Sequence, residues 1–188
     1  MIENEFKLML TKEQYEKIFS AFSCDGTWDK EILQTNHYFD TDDLELSACR
    51  ITVRVREIDG EYFLQMKLPT DREFSRIEIE QKLPGLPENI WGPALSAFSG
   101  VDGLPSVKRL GKLFTKRSVK LFNGAELDLD MSEYFDKRDY EVEIEFTDEE
   151  KARELLEKIR GIIGESSGQV VCKGKIHRFL DEFRERSK

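Results

Sequence analysis

Charged and apolar side chains alternate along most of the segments of this chain that can be extended, and that pattern restricts its fold more than any other feature. Glu3, Glu5 and Lys7 alternate with Asn4 and Phe6, and the alternation recurs at Arg54/Arg56, Gln65/Lys67, Arg76/Glu78/Glu80, Asp128/Asp130 and Glu141/Glu143/Glu145. Successive side chains of a strand point to opposite faces, so each segment presents one charged and one apolar face. Two arrangements satisfy this. An antiparallel sheet can lay its apolar face on a core and leave its charges in water. Alternatively, eight or so strands can close into a barrel, with Phe6, Leu8, Val53, Val55, Ile77, Ile79, Val142 and Ile144 turned outward against helices and the charges lining a wet interior. Two features favour closure. The chain carries apolar helical stripes that need a sheet face to cover, and charge segregates by strand: arginines at 54 and 56, acids at 3, 5, 141, 143 and 145. Like charges placed side by side are costly unless a counter-charge lies between them, so the segregation points to something bound. The fold class expected is α+β, a closed antiparallel eight-stranded β-barrel with helices packed outside.

The remaining elements follow from turn and cap signals. Thr11 caps a helix through Phe22, with Tyr15, Ile18, Phe19 and Phe22 on its core stripe. A strand over Glu31 to Phe39 ends in the turn cluster Asp40-Thr41-Asp42-Asp43. Asp59-Gly60 joins strands over Arg50–Glu57 and Glu61–Leu68, and Asn123-Gly124 joins Val107–Phe122 to Ala125–Met131. Between the hairpins lie a strand over Arg72 to Leu83 and a short helix around Ile90 to Phe98. Asp136 to Asp139 reads as a turn before the strand Tyr140–Phe146. Thr147 and Glu150 form a capping box for a helix to about Ile163, which Gly164 stops. Glu165 to Gly168 reads as a loop and Lys173 to Arg186 as a final helix.

Length and charge exclude whole classes. The 188 residues fit one domain, 1–188. A net charge of -9 argues against a general nucleic-acid binder, which needs surplus Lys and Arg against phosphate. No apolar run reaches the roughly 18 to 20 residues of a spanning helix, and the start lacks a secretory leader, so a cytoplasmic protein with no membrane partner is expected, as monomer or homodimer. Cys24, Cys49 and Cys172 lack metal-site or disulfide spacing and read as reduced, packed thiols.

Acids suit a hard divalent cation, magnesium or manganese, and the arginines and lysines suit a polyanion. At this point the residues resemble a known family, the CYTH domain or triphosphate tunnel metalloenzymes, which includes thiamine triphosphatases, inorganic triphosphatases and class IV adenylate cyclases. Glu3-Asn4-Glu5-Phe6-Lys7 is similar to its E-x-E-x-K signature and Tyr38-Phe39-Asp40-Thr41 to its Y-F-D-T turn. Arg54-Val55-Arg56 with Lys67, Arg76-Ile77-Glu78-Ile79-Glu80, Arg117, Asp130, Glu141-Val142-Glu143-Ile144-Glu145, and Lys175 with Arg178-Phe179-Leu180 follow in the family's order. The resemblance implies an eight-stranded tunnel that binds a small-molecule triphosphate. Lys7, Arg54, Arg56, Lys67, Arg76, Arg117 and Lys175 would contact phosphate, and Glu3, Glu5, Asp130, Glu143 and Glu145 would hold Mg2+ or Mn2+. Arg50 departs from the family, which has a small residue before the R-x-R strand, and Gly174 stands where serine is common.

The reaction this implies is metal-dependent hydrolysis of inorganic triphosphate, thiamine triphosphate or a nucleoside triphosphate by water. Lys7 with Tyr38 is one candidate base pair, if neighbouring cations lower the lysine pKa; Lys7 as a plain phosphate contact is the other reading, and Glu80 or Glu141 are alternative bases. Glu78 and Glu80 also read as partners for Arg54, Arg56 or Arg76. His37 and His177 read as packing or surface residues, and Trp28, Trp91 and Phe98 as packing residues that can also stack on an organic group. Cyclisation of ATP to cyclic AMP and pyrophosphate is an alternative, and so is a polyphosphate or nucleotide-binding module without turnover.

Overall fold

The computed structural model describes residues 1–24, 28–72, 74–164 and 173–186. Its strands are β1 (Ile2–Leu10), β2 (Lys30–Asp40), β3 (Thr52–Ile58), β4 (Glu61–Pro69), β5 (Ser75–Leu83), β6 (Asn89–Ile90), β7 (Val107–Phe122), β8 (Ala125–Tyr134) and β9 (Lys137–Phe146). The helices are α1 (Lys12–Cys24), α2 (Glu45–Ala48), α3 (Gly92–Ser99), α4 (Glu149–Ile163) and α5 (Lys175–Arg186). Strands pair in the order β2-β3-β4-β5-β1-β9-β8-β7-β6, and β2 also pairs with β7. Eight strands therefore close the ladder and β6 is the extra one, so the barrel expected from alternation is the fold observed.

Contacts divide the chain into two compact units, 1–2 with 34–114 and 175–188, and 3–33 with 115–174. In the first, the apolar face of β2 to β4 buries Phe39, Val53, Val55, Leu64, Met66 and Leu68 with Leu46 of α2, Leu95 of α3 and Val107. In the second, Phe6, Leu8, Leu127, Leu129, Val142 and Ile144 are buried, as are Ile18 and Phe22 of α1 and Ala152, Leu155, Leu156, Ile159 and Ile163 of α4. Six of the eight apolar residues expected to pack outward are buried; Ile79 is partly buried, and Ile77, the third residue of β5, is exposed.

Local chemistry explains the boundaries. Asp59 and Gly60 both adopt positive φ, 52° and 77°, as a two-residue hairpin turn of the primed type requires. Thr11 Oγ1 accepts from Gln14 N at 3.2 Å while Gln14 Oε1 accepts from Thr11 N at 2.8 Å, a reciprocal box at the start of α1. The box expected at Thr147 is instead an Asp148 cap, whose carboxylate accepts from the amides of Glu150 and Lys151. Thr147 is one residue too early and its hydroxyl donates to the Gly124 carbonyl. The last hairpin turns at Phe135, with φ 52°, so β8 and β9 are longer than expected. Cys49 is a free thiol but exposed, not packed; the side chain of Cys24, Cys172 and the expected loop 165–168 lie outside the described residues.

Candidate functional site

Strand register places the acids of 3–33 with 115–174 on one face. Glu5 lies opposite Glu145 and Lys7 opposite Glu143 across β1–β9. Across β8–β9, Asp128 lies opposite Glu143 and Asp130 opposite Glu141. Cross-strand partners share a face, so these carboxylates converge. Arg117 of β7 reaches into them: Nε donates to Asp130 Oδ1 at 2.9 Å, Nη2 to Asp130 Oδ2 at 2.7 Å and to Glu143 Oε2 at 2.6 Å, and Nη1 to Asp128 Oδ2. Lys7 Nζ lies 2.7 Å from Glu143 Oε1 and 3.3 Å from Glu5 Oε1.

The electrostatics follow from burial and crowding. Burial alone would lower the Lys7 pKa, but Glu143, Glu5 and Glu141 outweigh it and raise it well above the ordinary value. Lys7 is thus surrounded by carboxylates, not by the cations its role as a base requires. Burial likewise opposes the charge of Arg117, and Asp130, Asp128 and Glu143 restore it. Asp128 is fully buried, and burial, with repulsion from Asp130, Glu143 and Glu145, pushes its carboxyl up to about 8 despite Arg117.

Two sets of carboxylate oxygens lie within 4.8 Å of one another, Asp128/Glu143/Glu145 and Asp130/Glu141/Glu143. All donors are oxygens, as a hard divalent ion prefers. Asp128 Oδ1 is buried with no hydrogen-bond partner among the described residues. The residues therefore fit the cation that the family implies. Asp130, Glu143 and Glu145 were expected ligands. Asp128 and Glu141 join them, the first by the two-residue step from Asp130 and the second by facing it across the ladder. Glu3 and Glu5 belong to neither set among the described residues; Glu5 faces Lys7 instead.

The unit formed by 1–2, 34–114 and 175–188 carries a cationic face. Tyr38 lies opposite Arg54 and Asn36 opposite Arg56 across β2–β3; Arg54 faces Gln65 across β3–β4; Gln65 faces Glu80 and Lys67 faces Glu78 across β4–β5. Arg54 Nε donates to Gln65 Oε1 at 2.7 Å, and Gln65 Nε2 donates to Glu80 Oε2 at 2.5 Å. Lys67 Nζ lies 3.2 Å and Arg54 Nη2 4.0 Å from Glu78. Arg56 Nε donates to Asn36 Oδ1 at 3.1 Å, leaving the buried Asn36 Nδ2 without a hydrogen-bond partner among the described residues. Glu78 thus has Arg54 nearby, as expected, together with Lys67, whereas Glu80 accepts from Gln65 rather than from an arginine. Arg76 Nη1 donates to the Ser75 carbonyl at 2.9 Å.

Tyr38 is buried against Phe179 of α5, ring centroids 5.1 Å apart, and Lys175 at the start of that helix is buried too. The Y-F-D-T turn has a structural task. Asp40 accepts from the amides of Thr41, Leu46 and Ser47 and from the Ser47 hydroxyl, which fixes α2. His37 is buried on the apolar side beside Glu57, and His177 is exposed. Trp28 packs on Phe19 and Phe22, and Phe98 packs on the core of its unit. Trp91 is 69% exposed at a cavity of about 510 Å³ lined by Leu64, Leu83, Leu86 and Ile90.

The family model for the CYTH domain matches residues 1–174. The Bacillus subtilis protein named "Putative triphosphatase YjbK" is 33% identical over 196 residues, covering 97% of this chain and 96% of that protein. A crystal structure from Bacillus halodurans, described as a "putative adenylate cyclase", has a TM-score of 0.76 at 29% identity and covers 95% of this chain and 97% of its own. HpAC1 from Hippeastrum, described as a "putative adenylyl cyclase" that reveals a dominant triphosphatase activity, has a TM-score of 0.71 at 25% identity, with 96% of each chain covered. No helix among the described residues is long and apolar enough to cross a membrane.

Proposed function

The chain belongs to the CYTH domain family, and from that premise we propose that it hydrolyses a small-molecule triphosphate with the help of a divalent cation. The observation that carries the reading is the pair of convergent oxygen sets built on Glu143, with a buried Asp128 oxygen that lacks a hydrogen bond among the described residues. Asp128, Asp130, Glu141, Glu143 and Glu145 would hold Mg2+ or Mn2+, with Glu3 and Glu5 completing the acidic face of β1. When bound, the ion supplies positive charge to phosphate oxygens.

The chain's own cations do the rest of the electrostatic work. Arg54, Arg56, Lys67, Arg76 and Lys175 are proposed to bind and orient phosphate oxygens, and Arg54 and Lys67 are already positioned by Gln65 and Glu78. Glu78 and Glu80 balance this face before substrate arrives. Lys7, held protonated by its acidic neighbours, serves as a phosphate contact. The proton of the attacking water then falls to a carboxylate outside the proposed metal set, Glu80, with Glu141 committed to the cation. Tyr38, packed against Phe179, supports the neighbouring Arg54 strand.

The Bacillus halodurans neighbour keeps ATP cyclisation as the second reading. Incubation with tripolyphosphate, thiamine triphosphate and ATP, each with magnesium and with manganese, separates the two. Orthophosphate release supports hydrolysis; cyclic AMP with pyrophosphate replaces it by cyclisation; tight binding without product leaves a binding module.

A further inference from the structure

Glu143 belongs to both convergent oxygen sets, so a cation on either one draws on a Glu143 oxygen. Both of those oxygens already accept from cationic side chains, Oε1 from Lys7 at 2.7 Å and Oε2 from Arg117 at 2.6 Å. Arg117 also engages Asp128 and Asp130 and approaches Glu145. Nη1 engages Asp128 Oδ2 and lies 3.9 Å from Glu145 Oε1, while Nε and Nη2 grip both oxygens of Asp130. One buried guanidinium thus occupies ligand oxygens of both sets. Asp128 Oδ1, buried and without a hydrogen bond among the described residues, is a ligand oxygen it does not satisfy.

A guanidinium and a divalent ion repel strongly at the separation that shared oxygens impose, all the more where burial excludes water. A phosphate, by contrast, offers the fork of an arginine a bidentate replacement for a carboxylate. We propose that Arg117 is a built-in competitor of the divalent cation: in the metal-free protein it holds the oxygens the cation needs, and it releases them to bind phosphate. Metal and triphosphate then bind with positive coupling, because each favours the same displacement of Arg117. Arg117 is in this sense a positioning residue that sets metal affinity. The inference rests on the reading that the cluster holds a divalent cation.

The test is Mn2+ binding without substrate, followed by the loss of the free-Mn2+ electron paramagnetic resonance signal, in wild type, E143Q, R117Q and R117K. The expected result is that R117Q binds Mn2+ more tightly than wild type, by between about 5- and 150-fold, the span of ordinary coupling energies. R117K, which keeps a charge but loses the fork, falls between them, and E143Q binds worst. Thermal melting gives a second readout: metal-free R117Q melts below wild type and recovers on adding Mn2+. If R117Q does not fold, R117K decides alone by binding more tightly than wild type or not. Equal or weaker Mn2+ binding by the Arg117 variants, with E143Q still impaired, overturns the competition and leaves the metal site standing. Failure of every protein to bind Mn2+ overturns the metal site itself.

Discussion

Arg117 Nη2 donates to Glu143 Oε2 at 2.6 Å between two buried side chains that come from β7 and β9, 26 residues apart in sequence. The contact joins the two kinds of charge that the sequence keeps apart, and Glu143 is the one carboxylate common to both oxygen sets.

Replacing that carboxylate has a sharp consequence. E143Q keeps the shape of the side chain but removes the charge that faces Lys7, Arg117 and any cation on either set. Triphosphate hydrolysis in E143Q is expected to fall at least about 100-fold, the scale of losing one group that stabilises transition-state charge. Initial rates at saturating magnesium, with circular dichroism to confirm folding, check this.

The Asp40 carboxylate is a structural counterpart. It accepts four hydrogen bonds from Thr41, Leu46 and Ser47 and is itself almost fully buried. D40A leaves those donors without their acceptor and is expected to cost about 2–4 kcal/mol, with D40N costing less, since hydrogen bonds to charged groups contribute roughly 1.5–3 kcal/mol each and the donors partly recover water. Urea unfolding measures both.

Much of this was legible in the sequence. Period-two alternation located the strands and sorted their faces, because a one-residue slip would turn Phe6, Val142 and Ile144 into solvent. The same alternation put Asp130 and Glu143 on charged faces, whereas Arg117 stood out only through the resemblance to the family. It did not reveal α2, a four-residue helix that exists because Asp40 supplies side-chain hydrogen bonds from six and seven residues away. Nor did it separate Asp128 and Glu141 from Glu3 and Glu5 as ligands. All four satisfy the alternation, and only the register across β8–β9 brings Asp128 opposite Glu143. The alternation also left both readings of Lys7 open, because the sign of its pKa shift depends on which charges are nearest, and those are carboxylates.

Arg50 shows where departure from the family carries a cost. It sits exposed at φ 60°, a left-handed conformation that an L side chain adopts unfavourably. R50G is expected to stabilise the protein by about 0.5–1 kcal/mol after the entropic cost of glycine is deducted. An increase in the urea midpoint at unchanged slope reports it.

His37 supplies a pH dependence of known sign. Burial lowers its pKa, aided by Arg109 and Lys112 and opposed by Glu57. Between the ordinary value near 6.5 and the lowered native value, the unfolded chain binds more protons than the native protein, so stability falls as pH falls through that window. H37Q removes the titrating group, and the drop in melting temperature from pH 7.5 to pH 5 is expected to be smaller than in wild type. Parallel curves for the two proteins would assign the effect elsewhere.

Whether a cation on the acidic cluster drives hydrolysis is decided by phosphate release from tripolyphosphate by the wild-type protein, measured with excess magnesium and again after EDTA. Steady turnover is expected in magnesium, with its loss in EDTA and its return when magnesium or manganese is restored. Turnover that persists undiminished in EDTA, or no turnover of any triphosphate with either metal, would contradict it.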